Sequence, residues 1–319
     1  MAATSPEKVR YVALMWGAML GPAGFARLLR HFGSATNVLH ATPEELQAPG
    51  LRLTPGQATV IPTLADRLDQ FSSQLEDLRG ENIRTLCDWQ EDYPALLAEA
   101  RNPPPVVCIA GAILPEDDPA IAIVGTRTPT AEGLRLAREM GRAFAAEATT
   151  VVSGLASGCD TAAHTGALEG GGRTIAVLGS GIRVIQPREN LRLAREVFRR
   201  GAIVSEQPPH AHATTGTLMA RNRLQSALAR GVLAIEAAEQ GGTMETAKQA
   251  VDQGRLLYAM RWPQATERSA GPERLLSQGA RPVGGPRDAP AIRLELADHL
   301  PRVRERAARK RSQMSLFED

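Results

Sequence analysis

Gly125-Thr126-Arg127, Ser153-Gly154, Arg188 with Asn190, Arg221-Asn222-Arg223 and Gly241-Gly242-Thr243 hold the residue types that could do chemistry. Glycines let a ligand approach the backbone, and a helix N-terminus favours an anion. Arg127, Arg188, Arg221 and Arg223 add positive, forked donors suited to phosphate. The run Ala220 to Arg223 reads as the start of a helix, where the macrodipole disfavours cations. Two readings follow. Either an anion is shared between the helix end and the guanidinium groups, or the arginines pair internally with Glu206 or Glu236. Gly241-Gly242 suits a backbone nest, with Thr243 as N-cap.

Catalytic and metal chemistry find less support. Asp160 and His164, four apart, share a helix face and could form an acid/base pair. Capping by Asp160 and packing of His164 is the favoured reading, because no serine, cysteine or further ligand completes a set. His210 and His212 lack a third ligand, so no metal is expected. The loop at Gly125 does not match GxGxxG followed by a ribose-binding acid, so no dinucleotide cofactor is expected.

The elements that position these residues alternate. Apolar runs near 121–124, 151–153, 174–178, 202–205, 232–236 and 256–260 predict buried parallel strands. Helices are expected near 131–148, 159–170, 190–200, 219–230 and 243–254. This alternation predicts an α/β fold, a Rossmann-like, doubly wound and mostly parallel sheet. Ligands of such sheets bind at the carboxyl ends of the strands. Residues 1–80 read as short helices, with Thr42-Pro43-Glu44-Glu45 and Thr54-Pro55-Gly56-Gln57 as capped starts. They resemble SAM or helix-hairpin-helix modules. The expected division is a helical domain at 1–80, a connector at 81–118, a Rossmann-like domain at 119–284 and a basic tail without regular structure at 285–319.

Composition sets broader bounds. The 319 residues carry 43% hydrophobic and 4% aromatic residues, so the core is expected to rest on Ala, Val, Leu and Ile. A formal charge of +2 permits an anionic partner without demanding one. Cys87, Cys108 and Cys159 are far apart and form no CxxC pair, which fits a reducing cytoplasm. The first residues lack a signal-peptide pattern, and no apolar run approaches a membrane span. A cytoplasmic protein with no membrane partner is expected.

Taken in order, the loops resemble the DNA-processing protein family DprA, also called Smf. The family pattern runs GSR, SGLARGID with AHxGAL, TIAVLGxG, YPxxN, SExP, RNR, then EA with SG(S/T)xxTA. This sequence offers Gly125-Thr126-Arg127, Ser153 to Asp160 with Ala163 to Leu168, and Thr174 to Gly181. It continues with Gln186-Pro187-Arg188-Glu189-Asn190, Ser205 to Pro208, Arg221-Asn222-Arg223, and Glu236-Ala237 with Gly241-Gly242-Thr243 and Thr246-Ala247. The likeness covers 121–260. It implies a non-enzymatic protein that binds single-stranded DNA, forms a homodimer through the Rossmann-like domain and helps load RecA in natural transformation. The DNA-binding residues would be Gly125, Thr126, Arg127, Ser153, Gly154, Arg188, Asn190, Arg221, Asn222, Arg223, Gly241, Gly242 and Thr243. There are departures. Leu218-Met219-Ala220 stands where the family often has Phe-Pro, Gln186 replaces the tyrosine of YP, and Arg261-Trp262 replaces Pro-Gly. A C-terminal winged helix has no room.

Two further expectations stand beside this one. Gln313-Met314-Ser315-Leu316-Phe317 resembles the pentapeptide that docks on the replication sliding clamp, with Leu316 and Phe317 filling an apolar pocket and Gln313 orienting the peptide. Gly241 to Thr246 also resembles the GGxGTxxE loop of nucleoside-monophosphate phosphoribohydrolases, where a glutamate and an arginine assist cleavage of an N-glycosidic bond. Here Glu245 follows Thr243 by two residues, not three.

Overall fold

The computed structural model describes residues 4–100, 102–264 and 266–299. The chain forms two units, Met1–Tyr93 with Asn102–Cys108, and Pro94–Arg101 with Ile109–Asp319. The first unit holds α1 (Pro6–Val12), α2 (Pro22–Phe32), α3 (Ala35–His40), α4 (Pro43–Leu46), α5 (Pro55–Thr63) and α6 (Leu68–Gly80). Strand β1 (Ile83–Cys87) and the start of β2 (Val106–Gly111) follow. Both expected capping boxes form, Thr42 with Glu45 and Thr54 with Gln57. Each satisfies two helix-end donors and fixes where its helix begins. Val12, Leu14, Leu28, Leu46, Ile61 and Leu78 are fully buried among these short helices.

The second unit begins with α7 (Ala95–Ala98) and then alternates strand and helix. Its elements are β3 (Ala120–Val124), α8 (Ala131–Ala146), β4 (Thr150–Ser153), α9 (Cys159–Glu169), β5 (Thr174–Val177), α10 (Leu191–Arg200), β6 (Ala202–Ser205), α11 (Thr215–Ala227), β7 (Gly231–Ala234), α12 (Gly242–Asp252), β8 (Leu256–Met260), α13 (Ala270–Ser277), β9 (Arg281–Val283) and α14 (Ala289–Asp298). The strands lie in the order β6-β5-β4-β3-β7-β8-β9, and each neighbouring pair is parallel. Ile121 of β3 stands opposite Val151 on one side and Gly231 on the other. The chain winds outward from β3 to β6, then crosses back to β7. That reversal beside β3 is the switch point of a doubly wound sheet.

Alternate strand residues face opposite layers. Ile121, Ile123, Leu233 and Tyr258 pack with Met140 and Phe144 of α8 and with Ile292 and Leu296 of α14. Ala234 and Ala259 face the other layer, against Ala247 of α12 and Leu275 of α13. Burial on both faces explains why β3 reads as an unbroken apolar run. Two buried arginines and a half-buried one brace the opposite, N-terminal edge of the sheet. Arg230 sends Nε and Nη2 to the Asp118 carboxylate at 2.7 and 2.5 Å. Arg255 lies 3.6 Å from Glu99, and Arg173 Nε donates to Asp117 at 2.7 Å.

Three expectations need correction. The stretch assigned to a tail carries α14, whose Ala289, Ile292 and Leu296 are buried against the sheet. Pro290 sits in the first turn, where its missing N–H costs nothing, so it starts a helix instead of ending order. The stretch assigned to a connector holds two strands and α7. Helix α11 starts at Thr215, so Arg221 lies inside it and not at its N-terminus. Thr214 sets that start through a capping box with Thr217. Gln313, Leu316 and Phe317 lie outside the described residues. Among the described residues no helix is long and apolar enough to cross a membrane.

Candidate nucleic-acid interface

The loops after β3, β4 and β7 meet at the switch point and are bonded to one another. Thr126 N donates to Glu236 O at 2.7 Å, and Cys159 N donates to Thr126 O at 3.2 Å. The Glu236 side chain, 1% exposed, takes Thr130 N at 2.8 Å and Thr130 Oγ1 at 2.6 Å. It anchors the start of α8 and is not the partner of an arginine. A rim held this way is set before any ligand arrives.

Two cavities open along this rim. The first, about 400 Å³, is lined by Gly125, Thr126 and Arg127, by Asp160, by Leu218, Met219, Arg221, Asn222 and Gln225 of α11, and by Gly241, Gly242 and Thr243. The second, about 270 Å³, is lined by Arg127, Gly154, Ser157, Gly179, Gln186, Pro187 and Arg221. Arg127 and Arg221 border both. Eight of the sequence-predicted residues therefore share one cavity, and Gly154 joins them at the second.

Arg221 dominates the electrostatics. It is 5% exposed, and among the described residues no hydrogen bond or ion pair closes on its guanidinium, the Asp160 carboxylate acting only through space. Its buried Nε has no partner. Burial pushes its pKa down, Asp160 pulls it back up, and the like charge of Arg127 pushes it down again. Asp160 is raised by its own burial, partly offset by Arg221, and its Oδ2 accepts Gly154 N at 3.1 Å. Arg221 thus faces one carboxylate that does not bond to it and one like charge. An incoming anion would relieve that imbalance.

The glycines act in two ways. A Cβ on Gly154 would lie 1.7 Å from Arg221 Nη1, so this glycine makes room for the guanidinium. Gly241 has φ +129° and open space where a Cβ would be. It is the N-cap of α12, in place of the expected Thr243, and leaves backbone N–H groups uncovered.

Other predicted residues serve elsewhere. Arg223 is bound at both ends of the Glu206 carboxylate, 2.6 Å each, as the internal-pairing reading allowed. Ser153 Oγ donates to Ile123 O at 2.7 Å beneath the site. Asn190 Nδ2 donates to Leu155 O and Thr161 Oγ1, both at 2.8 Å, and so fixes the loop after β4. Arg188 is exposed and borders neither cavity. Asn222 Nδ2 donates to Gly242 O at 3.2 Å, tying α11 to α12. Gln186, where the family tyrosine would stand, accepts Ala213 N at 2.9 Å.

His164 supports the packing reading. It is fully buried, and its Nδ1 lies 2.7 Å from Thr174 Oγ1. That hydroxyl already donates to Val151 O at 2.7 Å, so the imidazole is the donor and its Nε2 is a bare acceptor without a partner. Burial, then Arg221, lowers its pKa to about 3. Among the described residues no group of three or more His, Cys, Asp or Glu is placed to hold a metal. Gln225 was missed by sequence reasoning. Its only signal is a polar side chain inside the apolar stretch Leu224 to Leu228.

Known proteins share this architecture. The family model described as DNA recombination-mediator protein A matches residues 84–291, and a DprA-like N-terminal HHH domain matches 7–61. The DNA processing protein DprA of Bacillus subtilis is 32% identical over 248 residues, covering 76% of this chain and 84% of that protein. Protein Smf of Synechocystis is 34% identical over 279 residues, covering 85% and 69%. The X-ray structure of DprA from Streptococcus pneumoniae superposes with a TM-score of 0.71 at 26% identity, covering 91% of this chain and 98% of that one. A Helicobacter pylori DprA structure, described as giving insight into a unique single-stranded DNA binding mode, has a TM-score of 0.60 at 28% identity and covers 67% and 96%. The chain belongs to the DNA recombination-mediator protein A family, whose members are called DprA or Smf.

Proposed function

We propose that this protein binds single-stranded DNA along the C-terminal edge of its parallel sheet and serves recombination as a non-enzymatic mediator in the cytoplasm. The carrying observation is Arg221, a buried guanidinium that no hydrogen bond reaches among the described residues, on the wall of a preformed cavity. A phosphodiester supplies the missing acceptor. Arg127 and the open N-terminus of α12 extend the same polarity along the rim. Such contacts track a backbone without reading its sequence. The Helicobacter pylori relative's described binding of single strands supports the reading. Arg223 and Asn190 act here as braces for the loops and not as contacts. A homodimer that loads RecA completes the proposal from family resemblance, and a clamp-docking peptide at Gln313 to Phe317 joins it from its own resemblance to the clamp-binding pentapeptide.

The phosphoribohydrolase reading fares worse. Its glutamate would be Glu245, which accepts Gln249 Nε2 at 2.8 Å and borders a different cavity from Arg221. The test is fluorescence anisotropy with single- and double-stranded oligonucleotides of equal length over a salt series. Single strands are expected to bind more tightly, with affinity falling steeply with salt. Equal binding of both, or none, would defeat the reading, and free base released from a nucleotide would revive the enzyme. Clamp pull-down with Leu316→Ala and Phe317→Ala together is expected to lose the clamp, and retention would end that part.

A further inference from the structure

Arg221 and Gln225 are four residues apart on α11 and so share one helix face. Both border the 400 Å³ cavity. Gln225 is 2% exposed, and its buried amide Nε2 has no partner, like Arg221 Nε. A buried donor without an acceptor costs stability, and a fold selected for stability alone would place an apolar side chain there. Leu224, Ala227 and Leu228 around it show that apolar residues suit this helix. Two unpartnered donors on one face therefore call for the same thing, an acceptor-rich group between them.

We infer that Arg221 and Gln225 form a phosphate subsite on the α11 wall of the cavity, with Gln225 Nε2 donating to a phosphodiester oxygen of the bound strand. This deepens the single-strand reading above and rests on it. The ligand class follows from the surroundings. Arg127 and the α12 N-terminus border the same cavity, so the field favours an anion over a neutral base carbonyl. Asp160 also borders it, but its carboxylate is turned to Gly154 N. Gln225 adds a neutral donor where a third cation would compound the repulsion between Arg127 and Arg221.

The experiment compares wild type, Gln225→Leu and Gln225→Glu for binding to dT, dA and dC homopolymers, alongside thermal melting of the free proteins. Gln225→Leu is expected to lower affinity about 10- to 150-fold on every homopolymer, the value of one hydrogen bond to a charged acceptor. Its melting temperature is expected to hold or rise, because the orphan donor is gone. Gln225→Glu is expected to lose more, since it places a negative charge beside the phosphate. Unchanged affinity of Gln225→Leu, with wild type still binding, would overturn the subsite and leave the single-strand reading standing. A loss confined to one homopolymer would make Gln225 a reader of bases and overturn the phosphate assignment. A lower melting temperature with unchanged affinity would make it a packing residue. Failure of wild type to bind any homopolymer would bring down the underlying reading instead.

Discussion

The two edges of the parallel sheet treat buried arginine in opposite ways. At the N-terminal edge, Arg230 is 1% exposed and gripped by Asp118 through two nitrogens, and Arg255 has Glu99 within ion-pair range. At the C-terminal edge, Arg221 is 5% exposed, its Nε has no partner, and among the described residues no hydrogen bond closes on its guanidinium, with Asp160 acting on it only through space. Each arginine of the first pattern has a carboxylate in bonding or ion-pair range, although Arg230 Nη1 and Arg255 Nε are themselves without a partner. The second leaves a deficit that a ligand can fill. Neither burial nor one orphan nitrogen sets Arg221 apart; the lack of a bonded carboxylate does.

The largest expected effects separate the edges by readout. Arg230→Ala leaves Asp118 facing a buried, uncompensated environment. It is expected to lower unfolding stability by about 3 kcal/mol, the low end for a broken buried pair because Asp118 keeps some solvent. Its single-strand affinity, measured where it is folded, is expected to stay at wild type. Arg221→Ala is expected to do the reverse. Binding weakens by about 2–3 kcal/mol, roughly 30- to 150-fold, with little net change in stability, because relief of the buried guanidinium is offset by leaving the Asp160 carboxylate without its nearby cation. If both variants lose stability alike, the contrast between the edges is void.

Smaller effects sharpen the contrast. Gly154→Ala would push its Cβ against Arg221 Nη1, the flexible end of a side chain. The protein is expected to fold, with the guanidinium displaced and affinity down about tenfold, near 1.4 kcal/mol, as for one lost charged hydrogen bond. Wild-type binding by this variant would mean that the position of Arg221 does not matter. Arg127 is exposed, so Arg127→Ala is expected to cost about 0.5–1 kcal/mol and to reduce the slope of log affinity against log salt by about 1. An unaltered slope would place Arg127 off the path of the strand.

The smallest effect is one of pH. The pKa of His164 falls in the fold from the ordinary 6.5 to about 3, so the folded state binds fewer protons than the unfolded chain between those values. Its contribution to stability is full above 6.5 and is lost as pH falls toward 3. Part of this depression comes from Arg221, so His164 in Arg221→Ala is expected to titrate at a higher pH than in wild type, read by NMR. Titration of wild-type His164 near 6.5 would contradict its burial as a neutral ring.

The sequence revealed the sheet better than the edges. Strands β3 to β8 are buried on both faces, so each reads as an apolar run, and their predicted positions agree with the structure to within two residues at either end. Strand β9 is three residues long and exposed at Arg281 and Pro282, which leaves no such signal. The start of α11 was misplaced by a turn because its cap is Thr214 with Thr217, without the acidic residue that flags a capping box. The candidate site was legible as a set of loops but not as a set of roles. Arg221 and Arg223 look alike two residues apart. Only tertiary structure brings Glu206, 17 residues away, onto one of them and leaves the other bare. Gly154 also seats the Arg221 guanidinium, a role that no spacing in the sequence signals.

The most direct test measures single-strand affinity and melting temperature together for wild type and Arg221→Ala, at several salt concentrations. The account predicts that wild type binds single strands above duplex, and that the variant loses at least about tenfold in affinity, above 1.4 kcal/mol, with little change in melting temperature. A variant that binds as wild type does, or one that loses affinity only in step with its stability, would contradict the claim that the bare guanidinium at this edge exists for a nucleic-acid phosphate.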